Sequence, residues 1–456
     1  MSLLESHIKP EEVGNVEKRR EHTVSIIGCG QIGVLHAYHF LEAGFKVICV
    51  DADQTIVNQL AKGKAHFLKR EIEPKFKNHV KTGHLNATND IRTAVSQSSV
   101  IAIAIPVKVD EKKKADYSEM ENTCGQVGAN LRPGSLVILM SLIGLGVTEG
   151  LICEKLESAS GFKAGVDFGL AYSPVRILYG EKLEGYKRIV AARDKSSLNA
   201  ASTILETITK NIVRKTENIK AAEVAALFEI LQQDVNVALA DELALFCERA
   251  GADYLEALTL AEADALCMLR LPTLADRSIR EEPYLLLQDA ENLDVKLRIP
   301  TIAREINEEV TKHAVNLTKD ALRNCGKTLR RAKISLLGIS QIPNVKSSAK
   351  KMAKELARML EARGAKVNLY DPYFSGDELA EMQCRGSKDL TGAVESVDCI
   401  LILTGHEQFK HLNLKKLRVV MKMPAAIVDL EGIVEPSNVE KEGFIYRGLG
   451  RGVWTK

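Results

Sequence analysis

A short apolar run that leads into three closely spaced glycines constrains this chain more than any other feature. Residues 24–27 read Val-Ser-Ile-Ile, a pattern typical of a buried strand, and Gly28, Gly30 and Gly33 follow in the spacing Gly-x-Gly-x-x-Gly. In this spacing the first glycine permits a tight turn, the second lets a pyrophosphate approach the backbone, and the third lets the next helix pack closely on the strand. The pattern predicts a βαβ unit that binds a dinucleotide.

The next strand indicates which dinucleotide binds. Lys46–Val50 leads to Asp51, 23 residues after Gly28, close to the spacing at which a carboxylate accepts hydrogen bonds from the ribose hydroxyls of NAD. The same charge repels the additional phosphate of NADP, so we expect NAD, with its pyrophosphate at the helix N-terminus. FAD, or a glycine turn with only a structural role, is the alternative. The expected cofactor residues are Gly28, Gly30, Gln31, Ile32, Gly33 and Asp51.

Length and charge limit the classes of protein to which the chain can belong. At about 100–200 residues per domain, 456 residues predict two to four domains, and three fit best. The 62 Lys and Arg residues balance 60 Asp and Glu residues, leaving a net charge of +2. This balance argues against nucleic acid or an anionic membrane as the main partner, but it allows a small anionic ligand.

Cysteine usage and hydropathy predict the compartment. The nine cysteines form no Cys-x-x-Cys pair and no cluster at zinc spacing, so we expect free thiols in a reducing compartment and no metal. No stretch approaches the roughly 18–20 apolar residues that span a bilayer. The charged opening up to Arg20 lacks the apolar core of a signal peptide. We expect a soluble, cytoplasmic protein.

Strand-like and helix-like segments alternate along the chain, which predicts an α/β fold. Apolar strands at residues 98–105 and 135–141 extend a parallel, doubly wound sheet to about residue 215, and residues 218–250 have the apolar spacing of one long helix. A second α/β half starts at residues 333–338, but its turn has one glycine, so a second dinucleotide is not expected there. A bound nucleotide or structural packing is more plausible.

Four segments follow from this pattern. The predicted domains are an N-terminal extension (1–20), a Rossmann NAD domain (21–215), a helical middle that forms a homodimer (216–325) and a smaller Rossmann-like C-terminal domain (326–456).

This order resembles the UDP-glucose/GDP-mannose dehydrogenase family, in particular its UDP-N-acetylmannosamine branch. The matching segments are residues 28–33, 171–174 with Arg176, Glu223, 234–239, 242–243, 283–285, 303–307, 370–373, His406 with Phe409, and 443–444 with Tyr446.

The resemblance implies oxidation of a nucleotide-linked sugar. Family members oxidise the C6 alcohol to an aldehyde, trap the aldehyde on a cysteine, pass a second hydride to NAD and hydrolyse the thioester to a uronate. A thiolate suits this work because it is strongly nucleophilic and its thioester can be cleaved. The family supports the cysteine with a Lys and an Asn four residues apart on the long helix, and with a Glu in a Pro-Glu-Arg segment.

The chain departs from the family at these catalytic positions. Aligned on the Pro-Tyr pair at residues 283–284, Ser278 holds the place of the cysteine, and a serine without an adjacent base is too weakly acidic to attack an aldehyde. Ala226 and Ile230 replace the Lys and the Asn. In addition, Leu142 replaces a threonine and Val175 replaces the glutamate. Each lost acid or base typically slows a reaction by about 10²–10⁴, so we expect an eroded reaction centre.

The remaining candidate residues also follow from the resemblance. Ser278 and Asp234 are the catalytic candidates, although hydrogen bonding between helices explains Asp234 equally well. Lys346 replaces a family arginine and can act as a point charge toward phosphate but not as a bidentate fork, so weaker or different binding of a UDP-sugar is expected. The expected substrate residues are Tyr172, Arg176, Tyr284 and Lys346.

Two functions remain open. The first is an NAD-dependent oxidoreductase that acts on a CH–OH group of a UDP-sugar such as UDP-N-acetylmannosamine, limited to one two-electron step. The alternative is a catalytically inactive NAD-binding paralogue with a regulatory or assembly role. A 3-hydroxyacid dehydrogenase is less favoured because that group also uses the Lys and Asn that are absent at Ala226 and Ile230. The expected partners are a nucleotide-linked sugar or a related small molecule and a second copy of the chain.

Overall fold

The computed structural model describes residues 13–65, 72–175, 188–209, 213–261, 281–346, 351–381 and 385–454. Its internal contacts divide the chain into two compact units. The first comprises Met1–Ile230 with Glu281–Lys296, and the second comprises Leu231–Arg280 with Leu297–Lys456. The division falls inside one long helix, Ile219–Ala250, and the domain boundaries after residues 215 and 325 stay predictions.

The first unit is an α/β structure. Its strands are β1 (Thr23–Ile27), β2 (Lys46–Val50), β3 (Leu85–Thr88), β4 (Val100–Ile103), β5 (Lys108–Val109), β6 (Ala115–Asp116), β7 (Leu136–Leu139), β8 (Gly169–Tyr172), β9 (Arg188–Ala192) and β10 (Val213–Thr216). Its helices are α1 (Val16–Arg19), α2 (Gln31–Glu42), α3 (Gln54–Ala61), α4 (Glu73–Lys81), α5 (Ile91–Ser96), α6 (Ser118–Gly128), a π turn (Thr148–Ile152) running into α7 (Cys153–Ser160), α8 (Lys195–Thr209), the first part of α9 (Ile219–Ala250) and, after a gap in sequence, α11 (Pro283–Asn292).

Eight of these strands form one sheet in the order β10-β9-β8-β7-β4-β1-β2-β3. All residues of β4 and β7 are buried, as expected for central strands that helices cover on both faces. The doubly wound sheet that the alternation predicts is therefore confirmed. The prediction that the sheet is parallel as far as residue 215 is wrong at one pair, because β8 and β9 run antiparallel, with Tyr172 opposite Ala191.

Strands β5 and β6 form a separate antiparallel hairpin that packs against helix α11. The N–H of Val109 donates to Oε2 of Glu281 at 3.1 Å, and the N–H of Ala115 donates to Oε1 of Gln288 at 2.7 Å. The ammonium group of Lys113 lies 4.9 Å from the centre of the Tyr284 ring. Helix α11 thus belongs to the first unit although a long stretch of sequence separates it from the hairpin.

The second unit contains a five-stranded parallel sheet. The helices Arg298–Asn324 (α12) and Lys351–Glu361 (α13) pack beside each other, and α12 also packs against several strands of this sheet. Its strands are β11 (Lys333–Leu337), β12 (Lys366–Tyr370), β13 (Cys399–Ile402), β14 (Ala426–Asp429) and β15 (Ile445–Gly448), in the order β12-β11-β13-β14-β15. Its helices are the second part of α9, α10 (Tyr254–Ala261), α12 (Arg298–Asn324), α13 (Lys351–Glu361), α14 (Gly376–Glu381), α15 (Leu390–Val394), α16 (Glu407–Lys410), α17 (Leu414–Val420), α18 (Pro436–Lys441) and a 3₁₀ turn (Gly452–Trp454). The predicted second Rossmann-like half is confirmed.

Within the described ranges, no helix is both long enough and apolar enough to cross a membrane. The same ranges hold no group of three or more His, Cys, Asp or Glu side chains that could bind a metal ion.

Candidate functional site

The turn between β1 and α2 has the geometry that its three glycines predict. Gly28 has a φ of +93°, and a Cβ atom there would lie 2.9 Å from the carbonyl oxygen of Ala104. A Cβ atom at Gly33 would lie 1.9 Å from the carbonyl oxygen of Gly28, so only glycine lets the helix approach the strand. A Cβ atom at Gly30 would meet nothing within 4 Å. Open space at the middle glycine is what a pyrophosphate needs.

Helix α2 presents its N-terminus at this turn. Gly30 is the residue before the helix, and no side chain caps the first turn. The first amide to bond within the helix is that of Val34, which donates to the carbonyl oxygen of Gly30 at 2.9 Å. The amides of Gln31 and Ile32 precede it, in the part of a helix where N–H groups and the helix dipole favour an anion.

Asp51 is fixed beside the turn by two backbone amides. Its Oδ2 accepts a hydrogen bond from the N–H of Cys29 at 2.8 Å, and its Oδ1 accepts one from the N–H of Asp53 at 2.9 Å. Each carboxylate oxygen can accept a further bond. Its expected contact with the ribose hydroxyls of NAD requires such free acceptor capacity and stays a prediction.

Three of the positions that the resemblance assigns to catalysis lie in an apolar cluster in the first unit. Leu142, Ala226 and Ile230 pack with Leu227 and Leu285, and all five are buried. Partly buried side chains in and around the hairpin and on helix α11 pack against them: Val107, Val109, Ala115 and Leu286. Three substitutions read from separate segments of the sequence thus meet in one place, where they form a hydrophobic core.

The loop that carries Leu142 is held by acidic and phenolic side chains. The N–H of Gly146 donates to Oε2 of Glu223 at 2.6 Å, and the N–H of Thr148 donates to Oε1 of the same side chain at 3.0 Å. Nearer Leu142, the N–H of Gly144 donates to the Tyr117 hydroxyl at 2.8 Å, and the N–H of Leu145 donates to Oδ2 of Asp289 at 2.7 Å. These bonds fix the backbone beside the cluster.

Burial perturbs the protonation of all three groups. Burial raises the pKa of the Glu223 carboxyl and of the Asp289 carboxyl, and their bonds to backbone amides oppose the shift only in part. Burial also raises the pKa of Tyr117 to about 12. Sequence reasoning missed Tyr117 and Asp289, because only the folded loop brings them together. Glu223 was recognised as a family position but without a role.

The second unit has a turn of the same kind, closed by its own side chains. Gly338 has a φ of +86°, and a Cβ atom there would lie 2.7 Å from Cβ of Thr404. Oδ2 of Asp371 accepts bonds from the backbone amides of Ile339 and Ser340 at 2.8 Å and from Nε2–H of His406 at 3.1 Å. Both Asp371 and His406 are buried. Asp371, the acidic residue that follows β12, thus points into the protein.

The hydrogen bonds also define the protonation states of Asp371 and His406. Nδ1 of His406 accepts the N–H of Asn344 at 2.9 Å, so the ring is the neutral Nε2–H tautomer. Burial alone would raise the pKa of Asp371, but its bonds to His406 and to backbone amides outweigh burial, and the pKa lies below its usual value. His406 therefore stabilises the fold of this half.

Among the predicted substrate residues, Lys346 already has a partner. Its ammonium group pairs with the carboxylate of Glu378 and lies 5.7 Å from the centre of the Phe374 ring. The positive charge is partly neutralised within the protein. Tyr284 lies on helix α11 under Lys113, and Tyr172 is fully buried in the core of the first sheet. Roles for these three side chains in substrate binding stay predictions.

Two other predicted residues, Arg176 and Ser278, lie outside the described residues. Val175, which replaces a family glutamate, is buried in the core on one face of the first sheet. Asp234 lies in the second unit, where its Oδ1 accepts bonds from Arg304 at 2.6 Å and from Asn307 at 2.8 Å. This buried pairing links α9 to α12, which matches the helix-bonding interpretation; a catalytic role for Asp234 stays a prediction.

A doubly wound sheet, a turn in which Gly28 and Gly33 have no room for a side chain, and a fixed acidic residue after the second strand define a dinucleotide-binding protein of the dehydrogenase type. The known families agree with this class. Residues 22–215 match the NAD binding domain of the UDP-glucose/GDP-mannose dehydrogenase family, residues 220–309 its central domain and residues 335–436 its UDP binding domain. The chain belongs to this family, and its cofactor is NAD.

Similar proteins cover nearly the whole chain. UDP-N-acetyl-D-mannosamine dehydrogenase of Pyrococcus horikoshii is 29% identical over 94% of this chain and 99% of its own length. UDP-glucose 6-dehydrogenase of Rhizobium meliloti is 26% identical over 94% and 99%. Among solved structures, the UDP-D-ManNAc dehydrogenase of Pyrococcus horikoshii has a TM-score of 0.83 at 28% identity, covering 94% of this chain and 100% of its own. NDP-N-acetyl-D-galactosaminuronic acid dehydrogenase of Methanosarcina mazei has a TM-score of 0.74 at 26% identity, with coverage of 99% and 100%.

Proposed function

We propose that this protein binds NAD and a nucleotide-linked sugar but does not carry out the four-electron oxidation to a uronate. The apolar cluster carries this proposal. Leu142, Ala226 and Ile230 stand where the resemblance requires a threonine, a lysine and an asparagine, and they pack against one another. Aliphatic side chains can neither transfer a proton nor stabilise a developing alkoxide. Ser278 in the nucleophile's place adds to the same conclusion.

Two forms of this function differ in what chemistry is left. A catalytically inactive, NAD-binding form that regulates or assembles with an active dehydrogenase is favoured by the filled cluster. A form that performs one two-electron oxidation would need a base within hydrogen-bond reach of the sugar hydroxyl. Glu223 and Asp289 are the carboxyl groups that bind the Leu142 loop, and both already accept bonds from its amides. We therefore place the inactive form first.

The proposed ligand is a UDP-sugar. The match of residues 335–436 to a UDP binding domain supports the nucleotide, and the similarity to UDP-N-acetyl-D-mannosamine dehydrogenases makes that sugar the first candidate. The pairing of Lys346 with Glu378 supports weak binding, because the ammonium charge is already opposed by a carboxylate. A ligand phosphate would have to compete with Glu378.

We also propose a homodimer in the cytoplasm. Exposed apolar side chains on helices α9 and α12 support the dimer; they are Leu239, Leu245, Phe246, Ile299 and Ile302. Phe246 is 67% exposed and Ile299 is 68% exposed. Clustered exposure of large hydrophobic side chains is typical of a surface that another chain covers. Light scattering should give the mass of two chains, and Phe246→Glu should shift it toward one. The compartment stays a prediction from the sequence.

Turnover tests the proposal directly. The purified full chain is incubated with NAD and a panel of UDP-sugars, and absorbance at the NADH band is followed while calorimetry measures NAD binding. We expect NAD to bind and no NADH to accumulate. NADH formed without uronate would favour the two-electron form. Uronate production by the unmodified chain at an ordinary enzymatic rate would refute the proposal.

Ser278→Cys examines whether the thiol alone is missing. We expect it to remain as inactive as the matched control Ser278→Ala, because Ala226, Ile230 and Val175 still lack the supporting groups. Adding Ala226→Lys and Ile230→Asn to Ser278→Cys should raise activity above either control, if the variant folds. Robust uronate formation by Ser278→Cys alone would show that the apolar cluster is not what limits catalysis.

A further inference from the structure

A cavity lies at the end of the second unit's sheet that is opposite its carboxyl edge. It has a volume of about 330 Å³ and is lined by the starts of β11 and β12, at Lys333 and Lys366. Open α/β sheets normally bind their ligands at the opposite edge, where the turn at Gly338 lies. Neither the NAD turn nor the UDP-binding match accounts for a cavity at the amino ends of these strands.

The charge of the lining is strongly positive. Lys333, Lys366 and Arg385 line the cavity with exposed side chains, and none of them forms an ion pair with a residue that the structure describes. Glu395 is the single carboxylate in the lining. The neighbouring Asp398 is already engaged, because it pairs with Lys327 at 2.8 Å and accepts the backbone N–H of Lys333 at 2.8 Å. The lining therefore carries three cations against one carboxylate, an excess of two positive charges.

The polar groups of the lining add a hydrogen-bond donor. The amide nitrogen of Asn368 donates to Oγ of Ser387 at 2.7 Å, so the Ser387 oxygen acts as an acceptor in this bond. The hydroxyl hydrogen of Ser387 remains available for a further acceptor. Ser387 lines the cavity together with the three cations. Such a set of groups recognises an anion.

The segment that carries Arg385 is held in place by backbone contacts. The N–H of Leu369 in β12 donates to the carbonyl oxygen of Arg385 at 2.8 Å, and the N–H of Ser387 donates to the carbonyl oxygen of Leu369 at 2.9 Å. A Cβ atom at Gly386 would lie 2.6 Å from Cβ of Leu379, so the turn there requires glycine. The guanidinium group therefore starts from a fixed backbone, which lowers the entropy lost on binding.

We propose that this cavity binds a small phosphate-bearing molecule, at a site separate from those for NAD and for the nucleotide-linked sugar. A phosphate dianion matches several cations, and a guanidinium group can donate two parallel bonds to it. The cavity volume lies at the lower end of the range for small-molecule sites, which leaves room for more than one bare phosphate group. Such a site would let a phosphorylated metabolite control the second unit from the edge opposite its turn.

Calorimetry with inorganic pyrophosphate tests the proposal. The full chain, saturated with NAD to block the glycine turn, is titrated with pyrophosphate at low ionic strength. We expect saturable binding of one molecule per chain that weakens as salt is added. Lys366→Met and Arg385→Met should each weaken binding at least tenfold. Both side chains are exposed, and thermal unfolding would show that the variants still fold.

Two matched controls locate the binding. Lys388→Met removes a cation of the same unit that does not line the cavity, and Lys346→Met removes the cation expected to contact the nucleotide. Neither change should alter pyrophosphate binding. Absence of saturable binding would overturn the proposal. So would a loss caused by Lys346→Met or Lys388→Met as large as that caused by Lys366→Met, because the anion would then bind elsewhere or only through general charge.

Discussion

Single replacements of Gly33 and Gly30 by alanine distinguish two functions of the glycine turn, which are close packing of helix α2 on strand β1 and access for the pyrophosphate. A Cβ atom at Gly33 would lie 1.9 Å from the carbonyl oxygen of Gly28, whereas ordinary contacts are about 3.5 Å, so helix α2 would have to move by about 1.5 Å. Overpacking of this kind costs about 1–3 kcal/mol, and backbone atoms on both sides place Gly33→Ala at the upper end, about 3 kcal/mol. The displaced amides should also weaken NAD binding by about 100-fold, or about 2.8 kcal/mol.

Gly30→Ala should behave differently. Gly30 has a φ of −66°, which alanine adopts readily, and its Cβ atom would meet nothing within 4 Å. The added methyl group would instead occupy the space through which the pyrophosphate approaches. We therefore expect stability within about 0.5 kcal/mol of the unmodified chain and at least tenfold weaker NAD binding.

Urea unfolding and calorimetric titration with NAD measure the two effects separately. Gly125→Ala is the matched control, because a Cβ atom there also meets nothing within 4 Å and the position lies inside helix α6. Alanine should stabilise that helix by about 0.5–1 kcal/mol without changing NAD affinity. If Gly33→Ala has the stability and the NAD affinity of the unmodified chain, the close approach of helix and strand is not what the glycine provides.

Three further perturbations test other parts of the structure. Asp51→Asn removes the charge that disfavours NADP, so fluorescence titration should show about tenfold weaker NAD binding and a smaller preference over NADP; an unchanged preference would contradict the role of the carboxylate. Asp234→Ala removes the carboxylate that lies 2.6 Å from the buried Arg304, which also approaches Glu308 at 4.0 Å, and should lower the free energy of unfolding by about 3 kcal/mol. Asp234→Leu with Arg304→Met should recover most of it, and equal losses in both would contradict the pairing. Burial raises the pKa of Asp429 to about 6, above its value in the unfolded chain, so its protonated form stabilises the fold at low pH and that stability is lost as pH rises from about 4 to 6. Urea unfolding should show that the unmodified chain loses about 3 kcal/mol of unfolding free energy across this pH window relative to Asp429→Asn. If the unfolding free energies of the two proteins change with pH in parallel, this role of Asp429 is contradicted.

The parts of the structure that the sequence predicts are those encoded locally. The glycine turn, strand β2 and Asp51 lie within 24 consecutive residues, so strand pattern and glycine spacing suffice to define them. The resemblance placed Leu142, Ala226 and Ile230 at catalytic positions without saying that they touch. Their contact follows from packing of the α9 helix against the loop after β7, which no local pattern encodes.

Other features depend on partners distant in sequence. Glu281 bonds to Val109 across 172 residues, and Asp234 pairs with Arg304 across 70. Lys346 pairs with Glu378, 32 residues later, and its expected contact with a ligand phosphate stays a prediction. Carboxylates such as Glu378 lie in ordinary surface helices, and nothing in their local sequence distinguishes a residue that pairs from one that contacts only water.

The contacts between the β5–β6 hairpin and helix α11 affect the order in which the chain can fold during its synthesis. The first unit is interrupted by the insertion of Leu231–Arg280, and its hairpin bonds to Glu281 and Gln288. During synthesis the sheet can form early, but the ribosome must release helix α11 before the hairpin and Leu285 can complete the core. A nascent chain stopped near Ile230 would leave that apolar surface exposed to water, and exposed apolar surface makes an incomplete chain prone to aggregation.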